Sequence, residues 1–171
     1  MSTNCYRILP VSSWSSRLSS RRAVLDQVTS PRDALLLIHV LAVATAVPLL
    51  MRLPLPRLSA VLEPRRPPLR PVPAQEDRIA HLVLAVLSAG RPLVRRGCLT
   101  RGVTLYYFLR RAGADVSLCF GMGTSTEKAD GFDGHCWLVR QGEPYLEPRD
   151  PRPLYTAIYS FPLPRPSRAG A

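Results

Sequence analysis

The stretch GCLTRGVTLYYFLRRAG, residues 97–113, decides the fold that this sequence predicts. Its apolar residues recur at spacings of three and four, which indicates a helix of about four turns, and Gly113 provides a left-handed stop. Cys98 opens this helix. Unpaired backbone N–H groups and the positive end of the helix dipole favour a thiolate over a thiol there.

A histidine and a carboxylate follow further along the chain. His135 lies in the segment GHCW at residues 134–137 and starts a predicted strand. If residues 140–142 form a three-residue loop with Gly142 left-handed, the resulting hairpin places His135 opposite Glu147. A two-residue loop at 141–142 would instead place Glu147 opposite Cys136, on the other face. A catalytic interpretation therefore predicts the three-residue loop.

These three residues suit a cysteine hydrolase. Cys98 would attack a peptide carbonyl as thiolate, His135 would hold the proton and return it to the leaving amine, and Glu147 would orient the imidazole. The backbone N–H of Cys98 supplies one oxyanion donor, and the sequence identifies no second one. Asp133 and Asp150 compete for the third role, and Glu147 is preferred because only it returns opposite the histidine.

Composition limits the class of protein. The chain has 171 residues, of which 46% are hydrophobic, enough for a core. Its formal charge of +11 comes from scattered arginines without an aromatic-basic signature, which argues against nucleic-acid binding. The cysteines form neither a disulfide framework nor a zinc motif, and the N-terminus lacks a signal-peptide core, so we expect reduced thiols in a cytoplasm, with no metal and no cofactor. The cysteines are Cys5, Cys98, Cys119 and Cys136.

The chain divides into five predicted segments. They are a poorly defined N-terminal segment (1–33), an apolar helical segment (34–63), a Pro/Arg-rich linker (64–74), a catalytic core (75–160) and a Pro-rich tail (161–171). Ser30 as N-cap, Pro31 at the first helical position and Asp33 in the first turn mark a helix start. The apolar run 34–51 raises the alternatives of a buried, a membrane-surface or a membrane-spanning helix.

The core segment contains further predicted elements. An amphipathic helix over 75–89 ends at Gly90, a half-buried strand covers 115–120, and a glycine-rich mobile loop over 121–134 borders a substrate cleft. His39 and His81 are interpreted as packing histidines, and no chemistry is assigned to them. The predicted fold class is α+β.

The motifs resemble a known family. The stretch from Gly97 to Arg101, the following LYYFLRRAG at 105–113, and His135-x-Trp137 with an acid twelve residues after the histidine are similar to the transglutaminase-like leader peptidases of lasso-peptide biosynthesis. The similarity covers about residues 75–150, and the apolar segment resembles the helical region that precedes the peptidase core in that family. Where Glu147 stands the family pattern usually has aspartate, and a small residue is common in place of Cys136.

The resemblance implies a fold, a reaction and partners. The fold is a papain/transglutaminase-like core, with a nucleophile helix packed on a small antiparallel sheet and an N-terminal helical extension. The reaction is removal of the leader from a ribosomally made precursor peptide through Cys98, His135 and Glu147. The resemblance is to the split form, which needs a separate leader-recognition protein, and an ATP-dependent macrolactam synthetase then closes the ring.

Two alternatives stay open beside the bacterial leader peptidase. One is a transglutaminase-like acyl transfer to an amine on the same triad. The other is a non-catalytic scaffold of a peptide-maturation complex, associated with a membrane surface through residues 34–51.

Overall fold

The structure, a computed structural model, describes residues 30–64, 73–89, 94, 97–124 and 132–162. These residues confirm the α+β class, with four helices and one four-stranded sheet. The helices are α1 (Pro31–Leu50), α2 (Leu55–Leu62), α3 (Pro73–Ala89) and α4 (Cys98–Arg111), and the strands are β1 (Ser117–Thr124), β2 (Phe132–Arg140), β3 (Glu143–Tyr145) and β4 (Thr156–Phe161). The N-terminal segment up to residue 29, linker residues 65–72, Gly90 and the tail from residue 163 lie outside the described residues.

Helix α1 begins where its capping residues predict. The Ser30 side chain accepts a hydrogen bond from the Asp33 backbone N–H, and the Asp33 carboxylate accepts one from the Ser30 N–H in return. This reciprocal arrangement satisfies two N–H groups that the helix itself leaves unpaired. Asp33 is buried and also pairs with Arg78 of α3, so the start of α1 is tied to a second helix.

Helix α1 is apolar on both its faces. Val40, Ala44 and Val47 are buried, whereas Leu35 and Ile38 are more than half exposed. Among the described residues it is the helix long and apolar enough to cross a membrane, a property that core helices of soluble proteins and signal sequences share. His39 packs edge-on against Tyr107 and Phe108 of α4, in keeping with a packing histidine.

The sheet is antiparallel throughout, in the order β3-β2-β1-β4. Strand β1 is longer than predicted, because the glycines taken as loop signals lie within it. A Cβ atom at Gly121 would come within 2.7 Å of the Trp137 ring, so glycine is there to let a neighbouring strand's aromatic side chain lie close. The predicted mobile loop over 121–134 is therefore wrong at both ends, and residues 125–131 lie outside the described part. Strand β4 was not predicted.

Helix α4 lies across the middle of the molecule. It begins at Cys98 as predicted and ends before Gly113, whose φ of 92° is left-handed. Eight of its residues are buried, and it packs on α1, α3 and β2. Buried residues of α1 and α2 belong to the same hydrophobic cluster as those of α4 and the sheet, so the N-terminal helices complete the core.

Candidate active site

Cys98 is the first residue of α4. Gly97 precedes it with an extended backbone and provides no side-chain hydrogen bond to the first helical turn. The N–H groups at the start of α4 therefore have no capping side chain from Gly97, and they and the helix dipole favour negative charge at this point. The Cys98 side chain is partly exposed, so the thiol is placed as a nucleophile requires.

The thiol lies against the start of β2. Cys98 Sγ is 3.9 Å from the carbonyl oxygen of Gly134, the residue directly before His135. One turn further along α4, a Cβ atom at Gly102 would lie 2.8 Å from Cys136 Sγ. The absence of a side chain at Gly102 thus allows α4 to approach β2 closely, and this approach brings Cys98 to the histidine end of the strand.

The His135 ring is held between polar and aromatic neighbours. It stacks on Tyr155, with ring centroids 4.9 Å apart, and on Trp137, at 5.9 Å. The Tyr155 hydroxyl donates a hydrogen bond to Asp133 Oδ2 at 2.8 Å, which fixes the tyrosine ring in turn. These contacts restrict the orientation of the imidazole, whose side chain remains 23% exposed.

Glu147 contacts the histidine. His135 Nε2 and Glu147 Oε2 are 3.5 Å apart, and the other carboxylate oxygen, Oε1, lies 2.9 Å from Arg101 Nη1. The Glu147 side chain is only 7% exposed. Burial raises the pKa of Glu147 above its ordinary value, and the neighbouring Arg101 and His135 act against that rise because both favour the carboxylate.

The hairpin register differs from the prediction. Leu138 pairs with Tyr145 and Arg140 with Glu143, so the loop has two residues, and the expected three-residue loop is wrong. Both loop residues, Gln141 and Gly142, have positive φ angles, as a two-residue hairpin loop of this twist requires.

Glu147 reaches His135 despite this register. Strand β3 ends at Tyr145, and Leu146 adopts a left-handed conformation with φ 58°. This residue interrupts the alternation of side chains that would have sent Glu147 to the opposite face. Leu146 itself is buried at 8% exposure, and the chain beyond it turns the Glu147 carboxylate to the imidazole.

The competing carboxylates lie elsewhere. Asp133 accepts a hydrogen bond from the Tyr155 hydroxyl. Asp150 is at the surface, paired with Arg152, whose guanidinium lowers the pKa of that carboxyl. Of the three candidates for the third role, Glu147 is the one that the structure places in an ion pair with His135.

The other described cysteines are poor nucleophiles. Burial raises the pKa of Cys119 to about 11 and that of Cys136 well above its ordinary value. Negative charge on the nearby Cys98 or Glu147 also raises the pKa of Cys136, because it disfavours a second anion. Cys5 lies outside the described residues. In the part of the chain that the structure describes, no group of His, Cys, Asp and Glu side chains could hold a metal ion.

Two site residues were missed by sequence reasoning. Arg101 belongs to the motif at residues 97–101, but its contact with Glu147 was not predicted. Its position three residues after Cys98, which places Arg101 and Cys98 on one helix face, was the available signal. Tyr155 carried no signal, because it precedes a strand that was not predicted.

Comparison with known proteins gives one finding. The sequence matches the family described as the transglutaminase-like superfamily over residues 41–160, more than two thirds of the chain. The matched region includes the C-terminal half of α1 and every residue placed at the site above. No curated protein and no solved structure matches.

Proposed function

Since this chain belongs to the transglutaminase-like superfamily, whose members are generally cysteine-dependent enzymes, we propose that it is a papain-like cysteine peptidase with Cys98, His135 and Glu147 as its triad. The observation that carries the proposal is the meeting of three elements. The thiol at the start of α4 lies 3.9 Å from the residue before His135, and His135 pairs with the buried Glu147.

The proposed reaction begins with proton transfer. Because His135 Nε2 faces Glu147, Nδ1 is the ring nitrogen left to accept the thiol proton. Glu147 stabilises the resulting imidazolium, and the start of α4 stabilises the thiolate of Cys98. A charged pair of this kind is the reactive form of a cysteine peptidase.

Peptide cleavage then follows in two steps. The Cys98 sulfur attacks the scissile carbonyl, and N–H groups at the start of α4 donate to the oxyanion. His135 returns its proton to the leaving amine as the C–N bond breaks, which leaves a thioester on Cys98. Water, deprotonated by His135, hydrolyses the thioester and restores the thiol.

The proposed substrate is the leader region of a ribosomally made, lasso-type precursor peptide. The support is the resemblance of residues 97–101, residues 105–113 and the His135-x-Trp137 motif to the leader peptidases of that biosynthesis. A separate leader-recognition protein and an ATP-dependent macrolactam synthetase are the proposed partners. We place the protein in the cytoplasm, with contact to a membrane surface through residues 34–51 as the alternative.

The test is an incubation of the purified protein with a candidate lasso-type precursor peptide, with and without a candidate leader-recognition protein. Mass spectrometry should detect cleavage after the leader, and Cys98→Ala should abolish it. Cys119→Ala is the matched control, because it removes a buried thiol of β1 and should leave cleavage intact. An active Cys98→Ala variant, or no cleavage with both partners present, contradicts the peptidase proposal.

The same experiment separates the acyl-transfer alternative, which the family match favours equally. An amine that attacks the thioester in place of water adds its own mass to the acyl fragment. With a primary amine in the buffer, a conjugated product that depends on Cys98 would identify a transferase, and hydrolysed product alone identifies a peptidase.

A further inference from the structure

Arg101 makes two contacts with the segment that follows β3. Its Nη1 lies 2.9 Å from Glu147 Oε1, and its Nη2 donates a hydrogen bond to the Leu146 carbonyl oxygen. Arg101 is one turn after Cys98 on α4, so a single helix provides both the thiol and this guanidinium. Its side chain is 23% exposed and therefore largely shielded from water.

The contact of Nη2 with the Leu146 carbonyl bears on the backbone. Leu146 has a φ of 58°, a conformation that bulky residues seldom adopt, and the two-residue hairpin loop alone would direct Glu147 away from His135. The peptide that Nη2 binds is the one leading from Leu146 to Glu147. The guanidinium therefore holds the chain at the point where its direction changes.

The contact of Nη1 with the Glu147 carboxylate bears on charge. The charged or ionisable groups that interact with the Glu147 carboxylate are Arg101 from α4 and His135 and Cys136 from β2. Of these, Arg101 is permanently cationic, and burial of the carboxyl favours its neutral form. A neutral Glu147 would not stabilise an imidazolium.

We propose that Arg101 is a positioning residue that acts through Glu147, fixing the turn at Leu146 with one arm and holding the carboxylate ionised toward His135 with the other. The inference rests on the proposed triad. Each carboxylate oxygen of Glu147 then has its own partner: Oε1 lies toward Arg101 and Oε2 toward His135.

A competing role for Arg101 predicts the opposite effect of its removal on the thiolate fraction of Cys98. A guanidinium bound to the same carboxylate weakens the electrostatic stabilisation that Glu147 gives to the His135 imidazolium. Removal of Arg101 would then make the imidazolium, and with it the thiolate, form more readily. The direction in which the reactivity of Cys98 shifts with pH therefore distinguishes support of the pair from competition with it.

The experiment measures the rate of Cys98 alkylation by iodoacetamide from pH 4 to 9, with the modified residue identified by mass spectrometry. This readout follows the thiolate fraction and needs no peptide substrate. In Arg101→Met we expect the acid limb of the profile to move up by about one pH unit or more, a tenfold loss of thiolate on that limb for each unit. Arg101→Lys should recover part of the shift because it keeps the charge.

Two comparisons test whether Arg101 acts through Glu147. Glu147→Gln should shift the profile in the same direction, and the double variant with Arg101→Met should shift it no further than the larger single effect. Arg110→Met is the matched control, because Arg110 also lies on α4 and forms ion pairs, with Glu63 and Asp115, without contact to the site. Its profile should coincide with that of the wild type.

The outcomes separate the two proposals. If alkylation of Cys98 is unaffected by His135→Ala, the proposed function fails and this inference with it. If alkylation depends on His135, then an unchanged profile in Arg101→Met, a shift to lower pH, or additive effects in the double variant would each overturn the role of Arg101 alone. If Arg101→Met does not fold, the same comparison is made with Arg101→Lys, whose folded state is checked by thermal unfolding.

Discussion

At the residue scale, the described cysteines differ in how strongly burial disfavours their ionised forms. With a pKa of about 11, the Cys119 thiol is ionised in less than about one molecule in a thousand at pH 7.5. Burial raises the pKa of Cys136 well above its ordinary value and so also favours its neutral thiol. We predict that iodoacetamide modifies Cys98 in the native protein and leaves these two unmodified. Peptide mapping checks this, and urea should expose all of them. Native modification of Cys136 at a rate near that of Cys98 would contradict it.

Glu147 gives a second prediction at this scale, in the pH dependence of stability. Burial raises its pKa in the folded state above the ordinary 4.5, so the folded state binds more protons than the unfolded state just above that pH. The contribution of Glu147 to the free energy of unfolding should therefore fall as the pH rises from about 4.5 through the folded pKa.

Urea unfolding of the wild type and of Glu147→Gln, at intervals from pH 4 to 7, measures this contribution. The wild-type free energy of unfolding, relative to that of the variant, should decrease with pH in this window. A relative increase would mean that Arg101 and His135 outweigh the burial of the carboxylate.

At the element scale, the contact between α4 and β2 depends on a glycine. A Cβ atom at Gly102 would lie 2.8 Å from Cys136 Sγ and 3.2 Å from Leu118 Cδ1. Gly102→Ala should therefore lower the free energy of unfolding by about 1–3 kcal/mol through overpacking. It should also slow the alkylation of Cys98, because the start of α4 moves away from His135.

The control is a compensating change. Cys136→Ala removes the nearest atom, so the double variant Gly102→Ala/Cys136→Ala should recover both stability and reactivity in part, and the two substitutions should be non-additive. Additive losses would show that Gly102→Ala acts through something other than this contact.

The elements also show what local sequence determines. The capping residues of α1 and the periodicity of α4 predicted helix starts correctly, because both signals act within one or two turns of chain. The three-residue hairpin loop is wrong because it was inferred from the requirement that Glu147 lie opposite His135, whereas Gln141 and Gly142, both at positive φ, form a two-residue loop. The turn at Leu146 has a tertiary partner, Arg101, and no pattern within the hairpin could reveal it.

The residues of the candidate site also divide into those that local sequence could predict and those that depend on tertiary structure. Cys98 and His135 could be selected because each stands at a recognisable position of a predicted element, and Glu147 was selected on a register that does not exist. The ion pair of Glu147 with His135 is present for another reason, the left-handed residue before it. Strand β4 and Tyr155 were missed because the prolines on either side of them resemble loop signals.

At the scale of the whole molecule, the N-terminal helices and the sheet share one core. Leu58 and Leu62 of α2 are fully buried in the same cluster as Leu118 of β1. We predict that Leu62→Ala lowers the free energy of unfolding by about 2–5 kcal/mol and that the sheet unfolds together with the helices. Urea unfolding followed by circular dichroism and by the alkylation of buried Cys119 should give coincident transitions.

Leu118→Ala provides the comparison from the sheet side, and it should shift both probes to the same extent. Two separated transitions in either variant would mean that α1 and α2 form a unit that unfolds independently. Such a result would place the boundary of the folded unit inside the region that matches the family.

The stacking of Tyr155 on His135 has a consequence for the protein while it is being translated. Cys98 and Arg101 leave the ribosome well before Glu147, and Tyr155 emerges later still. A growing chain that ends between Arg101 and Glu147 contains the Cys98 thiol but lacks the Glu147 carboxylate that pairs with His135. Under the proposed function, nascent molecules are thus inactive, and only chains extended past Tyr155 contain the complete triad with its stacked tyrosine.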